Sequence, residues 1–136
     1  MELAAARTFI NTHHQAVLAT LRPDGTPQLS PVTTGVDADG RVVISTRETA
    51  IKVRHIRETG KAWVCVLPDG FFGEWIYVEG TATILSLPDA MDSLVTYYRS
   101  ISGEHPDWDD YRATMVRDQR CMIQVELARA GPDFHG

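Results

Sequence analysis

The chain has 136 residues, 43% of them hydrophobic, and a net charge of −5 from 13 Lys+Arg against 18 Asp+Glu, which suits one globular domain over residues 1–136 with one core. A pI near 5.4 argues against a nucleic-acid binder, which needs a basic face to meet phosphates. No apolar run reaches the length of a membrane span, and the opening MELAAARTFINTHH has no signal-peptide pattern, so the expectation is a cytoplasmic protein.

Leu3, Ala6 and Ile10 stand at helical spacing and predict a helix within residues 1–13. The apolar run AVLATL (16–21) predicts a strand, and RPDG (22–25) a turn in which Pro23 presets φ and Gly25 takes the awkward angle. PQLSPVTTGV (27–36) reads as a single returning strand. Pro31 has no N–H to give a ladder, so it should interrupt, bulge or expose that strand. DADG (37–40) turns the chain into RVVIST (41–46). KAWVCVL (61–67) is a buried strand, and a longer one runs from about Gly73 to Leu85. There Ile76, Val78, Ala82 and Ile84 alternate with Trp75, Tyr77, Glu79, Thr81 and Thr83. Pro88 and Asp89 open a helix with the apolar face Met91, Leu94, Val95, Tyr98 and Ile101, and Pro106 opens another with Trp108, Tyr111 and Met115. CMIQVELA (121–128) is the last strand, followed by a tail over 129–136. About six short strands joined by tight turns predict a mainly β protein, an antiparallel barrel with flanking helices.

The stretch STRETAIKVRHIRETGK is unusual in so acidic a chain, because Arg47, Lys52, Arg54, Arg57 and Lys61 crowd into it. Ser45-x-x-Glu48 has the spacing of a capping box and predicts a helix that begins at Ser45–Thr46. A helix N-terminus favours an anion, and Arg47, Lys52 and Arg54 would complete a phosphate site. Lys52 and Arg54 are two residues apart, so on a helix they face different ways. The same residues also read as a solvated basic face behind an ordinary cap.

AVLATLRPDGTPQLSPV, VISTRETAIKVRHIRETGKAWV and WIYVEGTATI, in that order, resemble the pyridoxamine 5'-phosphate oxidase-like split-barrel family. YYRSISGEHPDWDDYRATMVRDQR resembles its F420-dependent branch from actinobacteria. The resemblance spans about residues 3–132. It implies a six-stranded antiparallel split β-barrel of Greek-key order and a homodimer with cofactor grooves at its interface. It further implies F420, a deazaflavin hydride carrier, with its phosphate held by Ser45, Thr46 and Lys52 and its ring lined by Gln28, Ser30, Pro31, Val32 and Thr33. The activity implied is hydride transfer to an electron-poor small molecule such as an enone, a lactone or a quinone-like compound. The branch commonly carries Arg-x-Lys at the helix start, whereas this chain has AIK, so Ala50 lacks one phosphate contact unless Arg47 or Arg54 replaces it. Trp75 and Tyr77 offer an aromatic face for dimer packing, cofactor contact or both.

The same barrel is compatible with FMN, as in flavin reductases and oxidases, and with a carrier that binds F420 or haem without turnover. No metal ligand set emerges. His13 and His14 end the first helix, where a cation suits the dipole, and His55 has no partner at ligand spacing. Asp107, Asp109 and Asp110 suit the start of a helix. Cys65 and Cys121 sit in apolar runs as structural thiols. No proton donor or other catalytic residue is assigned.

Overall fold

The computed structural model describes residues 1–132. The elements in order are α1 (Leu3–Ile10), β1 (Gln15–Leu21), β2 (Pro27–Thr33), β3 (Gly35–Val36), β4 (Val42–Arg47), α2 (Ile51–Thr59), β5 (Lys61–Val66), β6 (Ile76–Leu85), α3 (Met91–Ser102), α4 (Trp108–Arg117) and β7 (Arg120–Gly131). The strands form one seven-stranded sheet in the order β2-β1-β5-β6-β7-β4-β3, every pair antiparallel. The non-sequential neighbours β1–β5 and β4–β7 give the Greek-key path of the expected split barrel.

The two edge strands of this order, β2 and β3, are separated in the chain by Thr34 alone. A sheet whose opposite edges are joined through one residue has to curl until those edges meet. The corner is held at three points: the Thr34 N–H donates to the His14 carbonyl at 2.8 Å, its hydroxyl donates to the same oxygen at 3.2 Å, and His14 Nδ1–H donates to the Thr34 carbonyl at 2.8 Å. Thr34 is fully buried. The strand predicted over 27–36 is therefore two strands on opposite edges, which is why the count is seven and not six. Pro31 neither breaks nor bulges β2. It pairs in register with Val17, and it is exposed on an edge strand whose other side carries no ladder.

Two apolar clusters flank the sheet. Inside the barrel lie Leu18, Val42, Ile44, Ile56, Val64, Val66, Ile76, Val78, Ile123 and Val125, capped by Ala6 and Ile10 of α1. Outside, Val43 and Met122 pack under Leu94, Val95, Tyr111 and Met115 of α3 and α4. Residues 121–125 of β7 are thus buried on both faces, and the strand continues past 128 to Gly131, through the start of the expected tail. Residues 133–136 lie outside the described part.

The helices start later than their sequence signals. Ser45, Thr46 and Arg47 remain in β4, and α2 begins at Ile51 with Ala50 as its uncapped N-cap. The Ser45-x-x-Glu48 capping box does not form, because Glu48 belongs to a turn tied by its N–H to the Gln119 carbonyl. Likewise α3 begins at Met91, after Pro88. At α4, Asp107 accepts from the Asp110 N–H as a side-chain cap, and Asp109 and Asp110 occupy the first turn.

Between Glu79 and Gly80 the register of β6 against β7 shifts, and a Cβ on Gly80 would collide with the Glu126 carbonyl. We expect Gly80→Ala to lower stability by about 1–3 kcal/mol, the range of overpacking. Gly70→Ala, which meets open space, should leave the urea midpoint unchanged.

Candidate functional site

Closure at Thr34 brings the end of β2 against the end of β4. Between them lies an open cavity of about 550 Å³, bordered by Pro31, Val32 and Thr33 of β2, Ser45 and Thr46 of β4, Lys52 of α2, Tyr97, Tyr98, Tyr111 and Met115 of the helical pair, and Arg120 of β7. Alternation along β4 sends Ser45 outward with Val43 and turns Thr46 inward with Ile44.

The wall made by α3 and α4 is aromatic and internally satisfied. Tyr97 donates its hydroxyl to the Thr33 carbonyl at 2.8 Å, and Tyr111 donates to the Leu94 carbonyl at 2.8 Å. Burial pushes the Tyr97 phenol up from its ordinary value and pushes that of Tyr111 up to about 12, so both remain neutral donors. Tyr98 packs in a cluster with His105, Trp108 and Tyr111 at centroid distances of 5.1, 5.8 and 5.1 Å.

The opposite wall is cationic. Burial and then the Arg120 charge pull the Lys52 ammonium below its ordinary range. Arg120 Nε is buried and has no hydrogen-bond partner among the described residues. Neither side chain has a carboxylate partner there, whereas Arg54 pairs with Glu58 at 3.0 Å and Arg57 with Glu48 at 2.8 Å. A part-buried Lys52 and an Arg120 whose Nε is buried, neither with an anionic partner among the described residues, fit a phosphate-bearing group.

A profile of the family described as pyridoxamine 5'-phosphate oxidase matches residues 3–131. The chain belongs to this family. Three solved structures share the fold. One is an F420 reductase, 20% identical, covering 92% of this chain and 94% of that one, with a TM-score of 0.70. The second is HutZ, the heme storage protein from Vibrio cholerae, 12% identical, covering 96% and 94%, with a TM-score of 0.71. The third is a pyridoxamine 5'-phosphate oxidase-related, FMN-binding protein from Nostoc punctiforme, 17% identical, covering 93% and 79%, with a TM-score of 0.62. At these identities the likeness is one of fold alone.

In this member of the family, six of the residues singled out in the sequence meet at the cavity: Pro31, Val32, Thr33, Ser45, Thr46 and Lys52. Arg47 borders a neighbouring cavity of about 360 Å³ with Thr46, Thr49, Ala50 and Arg120. Gln28 and Ser30 lie further along β2 and do not border the main cavity. Arg54 points away and pairs along its own helix, as the two-residue offset from Lys52 predicts. Trp75 and Tyr77 do not border the cavity, and the Tyr77 ring lies against Gly131. Sequence reasoning did not find Arg120 or Tyr97. Arg120 lies just before the strand predicted over 121–128, as just another basic residue, and only as the first residue of β7, paired with Arg47 of β4, does it reach the site. His13 stacks on Phe9 at 4.0 Å, and no group of three or more His, Cys, Asp or Glu side chains among the described residues could hold a metal. No helix among those residues is long and apolar enough to cross a membrane.

Glu48 fixes the turn between β4 and α2. It accepts from Arg57 at 2.8 Å and from Ser86 at 2.5 Å. Burial pushes its carboxyl up, but the bonds from Ser86 and Arg57 and the Arg57 charge outweigh that and hold it below its usual range. The resulting stability is present above the unfolded pKa and disappears as pH falls through the lowered folded one. Glu48→Gln should therefore cost about 1 kcal/mol at neutral pH, and in urea titrations the gap to wild type should close as pH falls below the ordinary carboxylate range.

Proposed function

We propose that the protein is an F420-dependent oxidoreductase that reduces an electron-poor small molecule. The observation that carries this reading is the cationic wall at Lys52, facing an aromatic wall across one cavity at the barrel seam in a chain of this family. Lys52 and the Ser45 and Thr46 positions would hold the phosphate. The β2 segment from Gln28 to Thr33 would line the ring, and its free edge past Pro31 offers backbone groups to a ligand in place of a neighbouring strand. A reduced deazaflavin supplies hydride for an activated alkene or a quinone-like carbon. The chain's own part is to orient the reactants and exclude water. Tyr97 and Tyr111 have their hydroxyl protons committed to Thr33 and Leu94, so solvent is the proton source in this scheme.

FMN is the second reading, and one observation favours it: two adjacent cations suit the dianion of a phosphate monoester at least as well as the monoanion of the F420 phosphodiester. Side-by-side titration decides. F420 should bind more tightly than FMN, and the reverse order would make the protein an FMN enzyme. Lys52→Ala should weaken F420 by about 1.5–3 kcal/mol, about ten- to a hundredfold, the scale of a charge-assisted hydrogen bond. Arg54→Ala, already paired with Glu58, should bind as wild type does. Equal losses in the two variants would mean that the basic stretch acts only as a general positive field.

The working unit in this proposal is a homodimer. Registers across β2, β1, β5 and β6 align Leu29, Ala19, Trp63 and Glu79 in one row and Pro31, Val17, Cys65 and Tyr77 in the next, with Glu79 ion-paired to Arg129 at the β6 end. None of these residues belongs to either apolar cluster, and Leu29 is 63% exposed. A face that is apolar across β2, β1 and β5 and charged only at its β6 end supports burial against a second copy, and a partner's Trp75 and Tyr77 would then be the ones near the groove. Light scattering at micromolar concentration should give a dimer mass, and Trp63→Arg should give a folded monomer with weakened cofactor binding. A monomeric wild type would remove the shared groove.

A further inference from the structure

Arg120 is the residue least explained by the fold. It stands directly opposite Arg47 in the antiparallel register of β7 on β4, an arrangement in which like charges repel. Its charge also depresses the Lys52 ammonium. Its Nε is buried without a partner, and stripping water from a cation without replacing its hydrogen bonds is costly. Five other arginines are ion-paired: Arg41 with Asp37 and Asp39, Arg54 with Glu58, Arg57 with Glu48, Arg99 with Glu104 and Arg129 with Glu79. Arg7, Arg22, Arg112 and Arg117 have no ion pair among the described residues, but only Arg120 carries a buried side-chain nitrogen without a partner there. A chain with 18 acidic residues has brought none of the described ones into an ion pair with Arg47, Lys52 or Arg120.

Arg120 also borders both the main cavity and the smaller one beside it. The smaller cavity includes Ala50, whose methyl group contributes no donor. We propose that Arg120 is an anion-binding residue that acts from the last strand with Lys52 to grip a phosphoryl group where the two cavities adjoin. The identity of the group attached to that phosphoryl rests on the cofactor reading above; the anion grip itself does not. The planar guanidinium offers several donors in a fixed fork, which suits a tetrahedral oxyanion better than a second ammonium would.

The test uses two readouts on the full-length protein. The first is thermal melting with pyrophosphate or inorganic phosphate against chloride at matched ionic strength. Both phosphates should raise the wild-type Tm. Arg120→Ala should lose most of that rise, and Arg120→Lys should recover part of it. Arg120→Gln, which keeps most of the side-chain volume, should behave like Arg120→Ala and covers the case in which truncation harms folding. The second readout is binding of F420 and FMN beside riboflavin, which has the ring and ribityl chain but no phosphate. Arg120→Gln should weaken the two phosphate-bearing ligands about ten- to a hundredfold and leave riboflavin unchanged.

Phosphate protection that depends on Arg120, in a protein that binds neither F420 nor FMN, would uphold the grip and sink the cofactor reading. Tight F420 or FMN binding that Arg120→Gln leaves intact would do the opposite. Equal weakening of riboflavin and FMN would show that Arg120 acts through the fold, and that too overturns the proposal. So would a wild-type Tm that ignores both phosphates.

Discussion

Thr34 is the joint on which this structure turns. Because β2 and β3 are opposite edges of one sheet and only Thr34 lies between them, closure of the barrel is a matter of chain connectivity before it is one of packing. The reciprocal bonds between His14 and Thr34 satisfy the polar groups that so tight a buried corner would otherwise strand. The apolar interior from Leu18 to Val125 can then fill the closed space. The site is a consequence of the same joint. Thr33 and Ser45 belong to strands that are not ladder neighbours, and they border one cavity only because the edges have been brought round.

The helical pair α3 and α4 turns that seam into a site. Tyr97 reaches across to the Thr33 carbonyl and so ties the helices to the strand end just before the corner. The Tyr98, His105, Trp108 and Tyr111 cluster holds the two helices together, with Arg99 over the Trp108 ring at 4.9 Å. The second apolar cluster anchors them to the outer face of β4 and β7. The aromatic wall is therefore anchored both to the strand end at Thr33 and to the outer face of the sheet.

Electrostatics separates Arg54 and Arg57 from Arg47, Lys52 and Arg120; Lys61, at the end of the basic stretch, is exposed at the start of β5 and has no ion pair among the described residues. Arg54 and Arg57 have carboxylate partners at helical or turn distance and serve stability. Arg47, Lys52 and Arg120 have none among the described residues, and they converge on adjoining cavities. Of the three, Arg47 is exposed, while the Arg120 charge acts on the part-buried Lys52.

Much of this was legible in the sequence because it is local. The strand periods, the turn residues in RPDG and DADG, the acidic start of α4 and the placement of Lys52 and Arg54 on different sides of α2 follow from steric and dipolar effects over a few residues. The order of the short stretches also carried the family and with it the split barrel. Tertiary structure decided the rest. It kept Ser45 and Thr46 in β4, because pairing with Met122 and Cys121 of β7 outweighs a capping signal that Glu48 meets elsewhere through Arg57 and Ser86. It divided one predicted strand at Thr34, because a buried corner has no period to read. It also brought Arg120 beside Lys52, because cross-strand register is fixed by the fit of whole strands and not by the residues next to each side chain.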